Sequence, residues 1–112
     1  MIDVKIFQTP SGEYTGFQMS GHAGYAEYGQ DIVCAAVSVL VINAINSIDQ
    51  YTEDTFDNSV DPDTGSVFFQ ITDRPVSTSS QLLLKSLVLG LNGIKDEYGK
   101  KHIKIRLEKQ EG

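Results

Sequence analysis

The feature that most constrains this chain is a strict two-residue alternation near both of its ends. Ile2, Val4 and Ile6 alternate with Asp3 and Lys5, and Ile103, Ile105 and Leu107 alternate with Lys104, Arg106 and Glu108. Successive side chains of a strand point to opposite faces, so each segment reads as a strand with one apolar and one polar face. Such strands belong to a largely antiparallel sheet that is covered on one side only. Tyr14 to Ser20, with Phe17 and Met19 on one face, returns from Met1–Thr9 through the turn Pro10-Ser11-Gly12. A second hairpin joins Thr55–Val60 to Ser66–Thr72 across Asp61-Pro62-Asp63-Thr64-Gly65, with Val67, Phe69 and Ile71 sharing a face.

Two segments supply the covering layer. Ile32 to Ile42 is an eleven-residue apolar run interrupted only by Ser38, and Asp31 is its expected N-cap. This helix is expected to run to about Tyr51 or Thr52. It is first apolar almost all round and later amphipathic, with Asn43, Asn46, Ser47 and Gln50 outside, so its N-terminal half is expected to be enclosed. The run is short of the roughly 20 residues that span a bilayer, so no membrane association is expected. Thr78-Ser79-Ser80-Gln81 has capping-box spacing, Leu83, Leu84, Leu87, Leu91, Ile94 and Tyr98 recur at helical intervals, and Gly99 can stop the helix. The order is ββαββαβ. The expected fold is α/β in the broad sense, an α+β two-layer sandwich of two helices on a mostly antiparallel five-stranded sheet, forming one domain over residues 1–112.

Charge narrows the partners. The chain has a net charge of −6, but residues 1–94 hold three basic groups against eleven acids, while residues 95–112 hold six against four. An acidic body repels a nucleic-acid backbone and attracts a basic partner, so no direct nucleic-acid binding is expected. The first residues, MIDVKIFQTP, contain no apolar signal core, and a single cysteine fits a reducing compartment. A cytoplasmic location is expected. One cysteine and two distant histidines fall short of a tetrahedral metal set. Phosphate-loop and dinucleotide patterns are missing, so neither a metal nor a cofactor is expected.

Two residues stand out chemically. A lone cysteine in an apolar helix is usually an inert packing residue. With Asp31 as N-cap, however, Cys34 would lie in the first helical turn, where unpaired amides and the helix dipole favour a thiolate and can face an oxyanion. His22 starts the glycine-rich stretch GHAGYAEYGQ, twelve residues before Cys34, within reach of acting as its base. His102, next to Lys100 and Lys101, reads as a surface residue.

Gly21-His22-Ala23 followed by Gly29-Gln30-Asp31-Ile32-Val33-Cys34-Ala35-Ala36-Val37-Ser38 resembles the ribosomal-processing cysteine protease family, Prp, along the whole chain. The resemblance implies a His22 and Cys34 catalytic pair. It implies a substrate that is the N-terminal extension of a large-subunit ribosomal protein, cut after an aromatic residue and before a small one. It also implies a homodimer. Asp31 then either caps the helix or orients His22. Ser38, one turn beyond Cys34, either supports the site or back-bonds as an ordinary buried serine. Gly21, Gly24, Tyr25, Glu27, Tyr28 and Gly29 are candidate residues of a loop closing on an extended peptide, with Glu27 and the acidic body receiving a lysine-rich substrate; the alternative is a plain surface loop. Against the protease stand a non-enzymatic ribosome-assembly or peptide-binding module, with Cys34 as a buried packing residue, and a thiol redox sensor.

Overall fold

The computed structural model describes residues 1–21 and 28–110, the side chains of residues 28–31 excepted. Seven elements follow in the expected order: β1 (Ile2–Gln8), β2 (Tyr14–Ser20), α1 (Tyr28–Tyr51), β3 (Phe56–Val60), β4 (Val67–Ile71), α2 (Thr78–Tyr98) and β5 (Ile103–Lys109). The strands form one sheet in the order β3-β4-β2-β1-β5. Only the β1–β5 pair is parallel. Register aligns the apolar faces: Val4 lies opposite Met19, Ile6 opposite Phe17, Phe17 opposite Phe69 and Ile2 opposite Ile103.

Both helices lie on that apolar face, and topology gives the reason. β2 connects through α1 to β3, and β4 connects through α2 to β5. These starting strands run in opposite directions, and their crossovers step in opposite directions across the sheet. Right-handed crossovers of this kind place their helices on the same face. Val33, Val37, Val41, Ala44 and Ile48 of α1 and Leu84, Leu87 and Leu91 of α2 close the core over Ile2, Val4, Ile6, Phe17, Phe69 and Ile71. The other sheet face is mainly polar and carries the ion pair of Arg106 with Asp3 at 3.0 Å.

Several expectations need correction. α1 begins at Tyr28, not Ile32, because a single helical glycine at position 29 costs only about 1 kcal/mol against alanine and does not stop a helix. Its N-terminal half is not enclosed: Ala35 is exposed and Val39 is 66% exposed, since one helix on one sheet can bury only one stripe. Over Ile32–Tyr51 the mean hydropathy is 1.9, which by length and composition suffices to cross a membrane. Its buried stripe nevertheless packs on the sheet as a core helix does. His102 is buried rather than superficial, because its carbonyl accepts the Ile2 N–H at 3.0 Å and draws the residue into the start of β5.

The N-cap of α2 is Ser77, one residue earlier than the capping-box spacing suggested; its Oγ accepts the Ser80 N–H at 3.1 Å. Gln81 does not reach back to the cap. It clamps β2, its Oε1 accepting the Tyr14 N–H at 2.9 Å and its Nε2 donating to the Tyr14 carbonyl. Gly99 ends α2 with φ +94° and ψ 157°, a positive-φ extended conformation rather than a left-handed helical one.

Asp54 ties the end of α1 to the start of α2. Its Oδ2 accepts the Ser77 hydroxyl at 2.7 Å and the Ser77 N–H at 3.2 Å. Partial burial pushes the Asp54 carboxyl up, but hydrogen bonds from Ser80 and Ser77 outweigh it and hold the group below its ordinary value of 3.8. A carboxyl depressed in the folded state contributes stability above its unfolded value, and that contribution is lost as pH falls through the folded value. Ser77→Ala is expected to lower stability at pH 7 by about 1 kcal/mol, the usual loss for an N-cap. It should also shrink the loss of stability between pH 5 and pH 3, as read from urea midpoints across that range.

Candidate active site

β2 ends at Ser20, and the chain leaves the sheet at Gly21, where φ is +87°. A Cβ at this position would lie 2.3 Å from the Met1 carbonyl oxygen, so backbone conformation and space both require glycine. The departure of the chain toward His22 is fixed there. His22, Gly24, Tyr25 and Glu27 lie outside the described residues. Tyr28 and Gly29, expected in a loop, belong to the first turn of α1, as does Asp31.

Asp31 is therefore the fourth helical residue and not the N-cap, and Cys34 is the seventh. Unpaired amides and the useful part of the helix dipole are confined to the first turn. The expectation that Cys34 lies among unpaired first-turn amides able to face an oxyanion is corrected accordingly, since the amides around it lie inside the helix. Cys34 is half-buried and packs against the core beside the inward stripe of Val33 and Val37. Its place at the margin of that stripe holds the sulfur at a defined position without enclosing it.

Ser38 is half-buried one turn further on, on the same helical face as Cys34 and about 6 Å away between Cβ atoms by helix geometry. There it lines a cavity of about 300 Å³ that opens between α1 and the β3–β4 hairpin. Ile42 and Ile45 of α1 form one wall, and Met19, Val60 and Val67 of the sheet form the other. Met19 is three residues before His22. The sequence offered one signal for this cavity, the helical spacing of Ser38, Ile42 and Ile45. It offered none for the sheet wall, which depends on β2 pairing with β4. Among the described residues, no three His, Cys, Asp or Glu side chains converge as a metal-binding group.

Comparison with known proteins agrees with this architecture. The profile of the family described as cysteine protease Prp matches residues 1–104. The ribosomal processing cysteine protease Prp of Staphylococcus aureus is 34% identical over 98 residues, covering 88% of this chain and 92% of its own length. Two crystal structures of the essential ribosomal processing protease Prp from S. aureus superpose with a TM-score of 0.84. One, in complex with a substrate peptide, is 32% identical and covers 98% of this chain and all of that one. The other, with a covalently linked product peptide, is 31% identical and covers 96% of this chain and all of that one.

Gly21→Ala is expected to combine positive-φ strain with the clash against Met1, destabilising the chain by about 1–3 kcal/mol. Thermal unfolding of this variant beside Gly93→Ala checks it. Gly93 lies in α2 and a Cβ there meets nothing within 4 Å, so the control should be unchanged or slightly more stable.

Proposed function

This chain belongs to the Prp family of cysteine proteases, and on that premise we propose that it removes the N-terminal extension of a large-subunit ribosomal protein, cutting after an aromatic residue. The observation that carries the assignment of the nucleophile is a count. A cysteine protease needs a thiolate, and Cys34 is the only cysteine in the chain. Its margin position on α1 supports the same role, since a reactive thiol must be both held and reachable.

His22 is the proposed base. α1 contains no lysine or arginine, so an imidazolium is the natural partner for a thiolate on that helix. His22 takes the thiol proton, and the sulfur bonds to the scissile carbonyl carbon. The tetrahedral adduct collapses with loss of the amine, which receives the proton from His22, leaving a thioester on Cys34. Water, deprotonated by the same imidazole, then releases the acid product. The S. aureus structure with a covalently linked product peptide is in keeping with such covalent chemistry.

The substrate proposed carries a basic N-terminal extension, which suits the acidic body of the chain. The same proposal covers a homodimer acting in the cytoplasm without a cofactor, with Tyr25 and Glu27 contributing to the substrate loop and Tyr28 standing where that loop enters α1.

Mass spectrometry of the extended ribosomal-protein N-terminus after incubation with enzyme is the test. Wild type should make a single cut after an aromatic residue. Cys34→Ala should make none, and His22→Ala should lose about 10²–10⁴-fold in rate. His102→Gln should retain turnover. Cleavage by Cys34→Ala would sink the proposal, and loss in His102→Gln with retention in His22→Ala would reassign the base.

A further inference from the structure

The open face of the sheet is mainly polar, yet two aromatic side chains meet on it. Ile6 and Phe69 belong to the core, so strand alternation turns their neighbours, Phe7 of β1 and Phe68 of β4, to the opposite face. β2 runs between these two strands. Phe7 lies opposite Gly16 of β2, which has no side chain to hold the rings apart, and their centroids are 5.9 Å from each other. Phe7 is buried, whereas Phe68 is only half-buried. One ring is thus backed by the other and offered to solvent.

Charge on the same face is basic along β1 and β5. Lys5, Lys104 and Arg106 share the alternation of Phe7, and Lys100 and Lys101 are exposed in the turn that leads into β5. The acids of this strip are engaged: Asp3 by Arg106 at 3.0 Å and Glu108 by Lys5 at 4.0 Å. Among the described residues, Lys100, Lys101 and Lys104 enter no ion pair. Asp57 stands on β3, at the far edge of the sheet. Asp3, Lys5, Gln18, Ser20 and Arg106 line a polar depression of about 180 Å³, and Gln18 lies opposite Phe68 in the ladder. Hydrogen-bonding groups therefore continue from the cationic strip to the ring.

An available ring beside amides, hydroxyls and lysines is the combination that receives single-stranded nucleic acid, because every base has a face to stack and every phosphate a charge to neutralise. An acidic peptide would satisfy the lysines and leave the ring unused. We propose that the open sheet face binds single-stranded RNA, with a base on Phe68 and the backbone along Lys5, Lys104 and Arg106. Gln18 and Ser20 are placed to hydrogen-bond 2′-hydroxyls, the groups that mark RNA. The net charge of −6 argued against nucleic acid by averaging over the chain, but docking follows the local field. Both helices cover the other face, so bound RNA would leave Cys34 open to a peptide. RNA binding does not depend on the protease reading; its use, to hold the enzyme on an RNA-bound ribosomal protein, rests on that reading.

The test is fluorescence anisotropy of a short labelled single-stranded RNA of mixed sequence, titrated with the whole chain at several salt concentrations. Wild type should bind, with log K falling against log salt by about 0.7 for each phosphate contact. Phe68→Ala should weaken binding about fivefold or more without changing that slope. Lys104→Gln and Lys101→Gln should each weaken it and lower the slope. Lys85→Gln, exposed on α2 behind the sheet, should change neither. Circular dichroism checks that Phe68→Ala is folded, and the exposed lysine variants decide the matter if it is not. No binding by wild type at low salt overturns the proposal, as does binding that the Phe68 and Lys104 variants leave intact. Displacement of RNA by polyglutamate at equal charge concentration would make this a surface for acidic peptides and overturn it. Self-association that Phe68→Ala abolishes, with no RNA bound, would give the face to a second copy and overturn it too. All of these variants should still cut the extended peptide free of RNA, so loss of RNA binding and loss of protease activity are read separately.

Discussion

The pairing of β2 with β4 is the seam on which the rest of the molecule depends. It is the ladder that joins the β3–β4 hairpin to the side of the sheet formed by β1 and β5. At Gly16 the two strands approach so closely that a Cβ would meet the Phe69 carbonyl oxygen at 2.2 Å. One residue on, Phe17 stacks on Phe69 with ring centroids 5.2 Å apart, an offset aromatic contact that adds to simple burial. Met19 and Val67, the last pair of the seam, form the sheet wall of the groove. Without this register there would be a helix with a cysteine on it but no cavity beside it.

α1 serves two purposes through two neighbouring lines of side chains. Val33, Val37, Val41, Ala44 and Ile48 pack into the core, which fixes the rotation of the helix. Cys34, Ser38 and Ile45 then fall at the margin of the buried stripe, where the geometry is rigid and the surface is open. A side chain gains positional precision from a scaffold helix that it would lose on a loop, which suits the role proposed for Cys34. The same one-sided burial explains the exposed apolar residues on the outer surface of both helices, since each helix has only one sheet face to cover.

Charge is distributed unevenly along the chain. Six of the fifteen acidic groups lie on the β3–β4 hairpin and its flanks, residues 53–73, while six of the nine basic groups fall between the last turn of α2 and the end of β5. Pairs such as Arg106 with Asp3 on the open sheet face are half-exposed and add little stability. The hairpin carboxylates have no lysine or arginine within residues 53–73, and charges exposed to solvent act over about 8 Å at physiological salt.

Local pattern made much of this legible. The alternation of Ile2, Val4 and Ile6 and of Ile103, Ile105 and Leu107 marked strands and their buried faces, the Asp61–Gly65 turn marked a hairpin, and helical spacing marked α2, because period and turn chemistry act over a few residues. The family was readable for the same reason, from the short motif around Cys34. Starts and ends were harder: Tyr28 rather than Ile32 begins α1, and Ser77 rather than Thr78 caps α2, because a cap depends on which partners are near. Gln81 spent its amide on Tyr14, a residue 67 positions away, which no local rule could assign. The groove and the burial of His102 were decided only by tertiary structure. Both arise where strands distant in sequence are brought into register, and register is set by the packing of a whole sheet face rather than by any one segment of it.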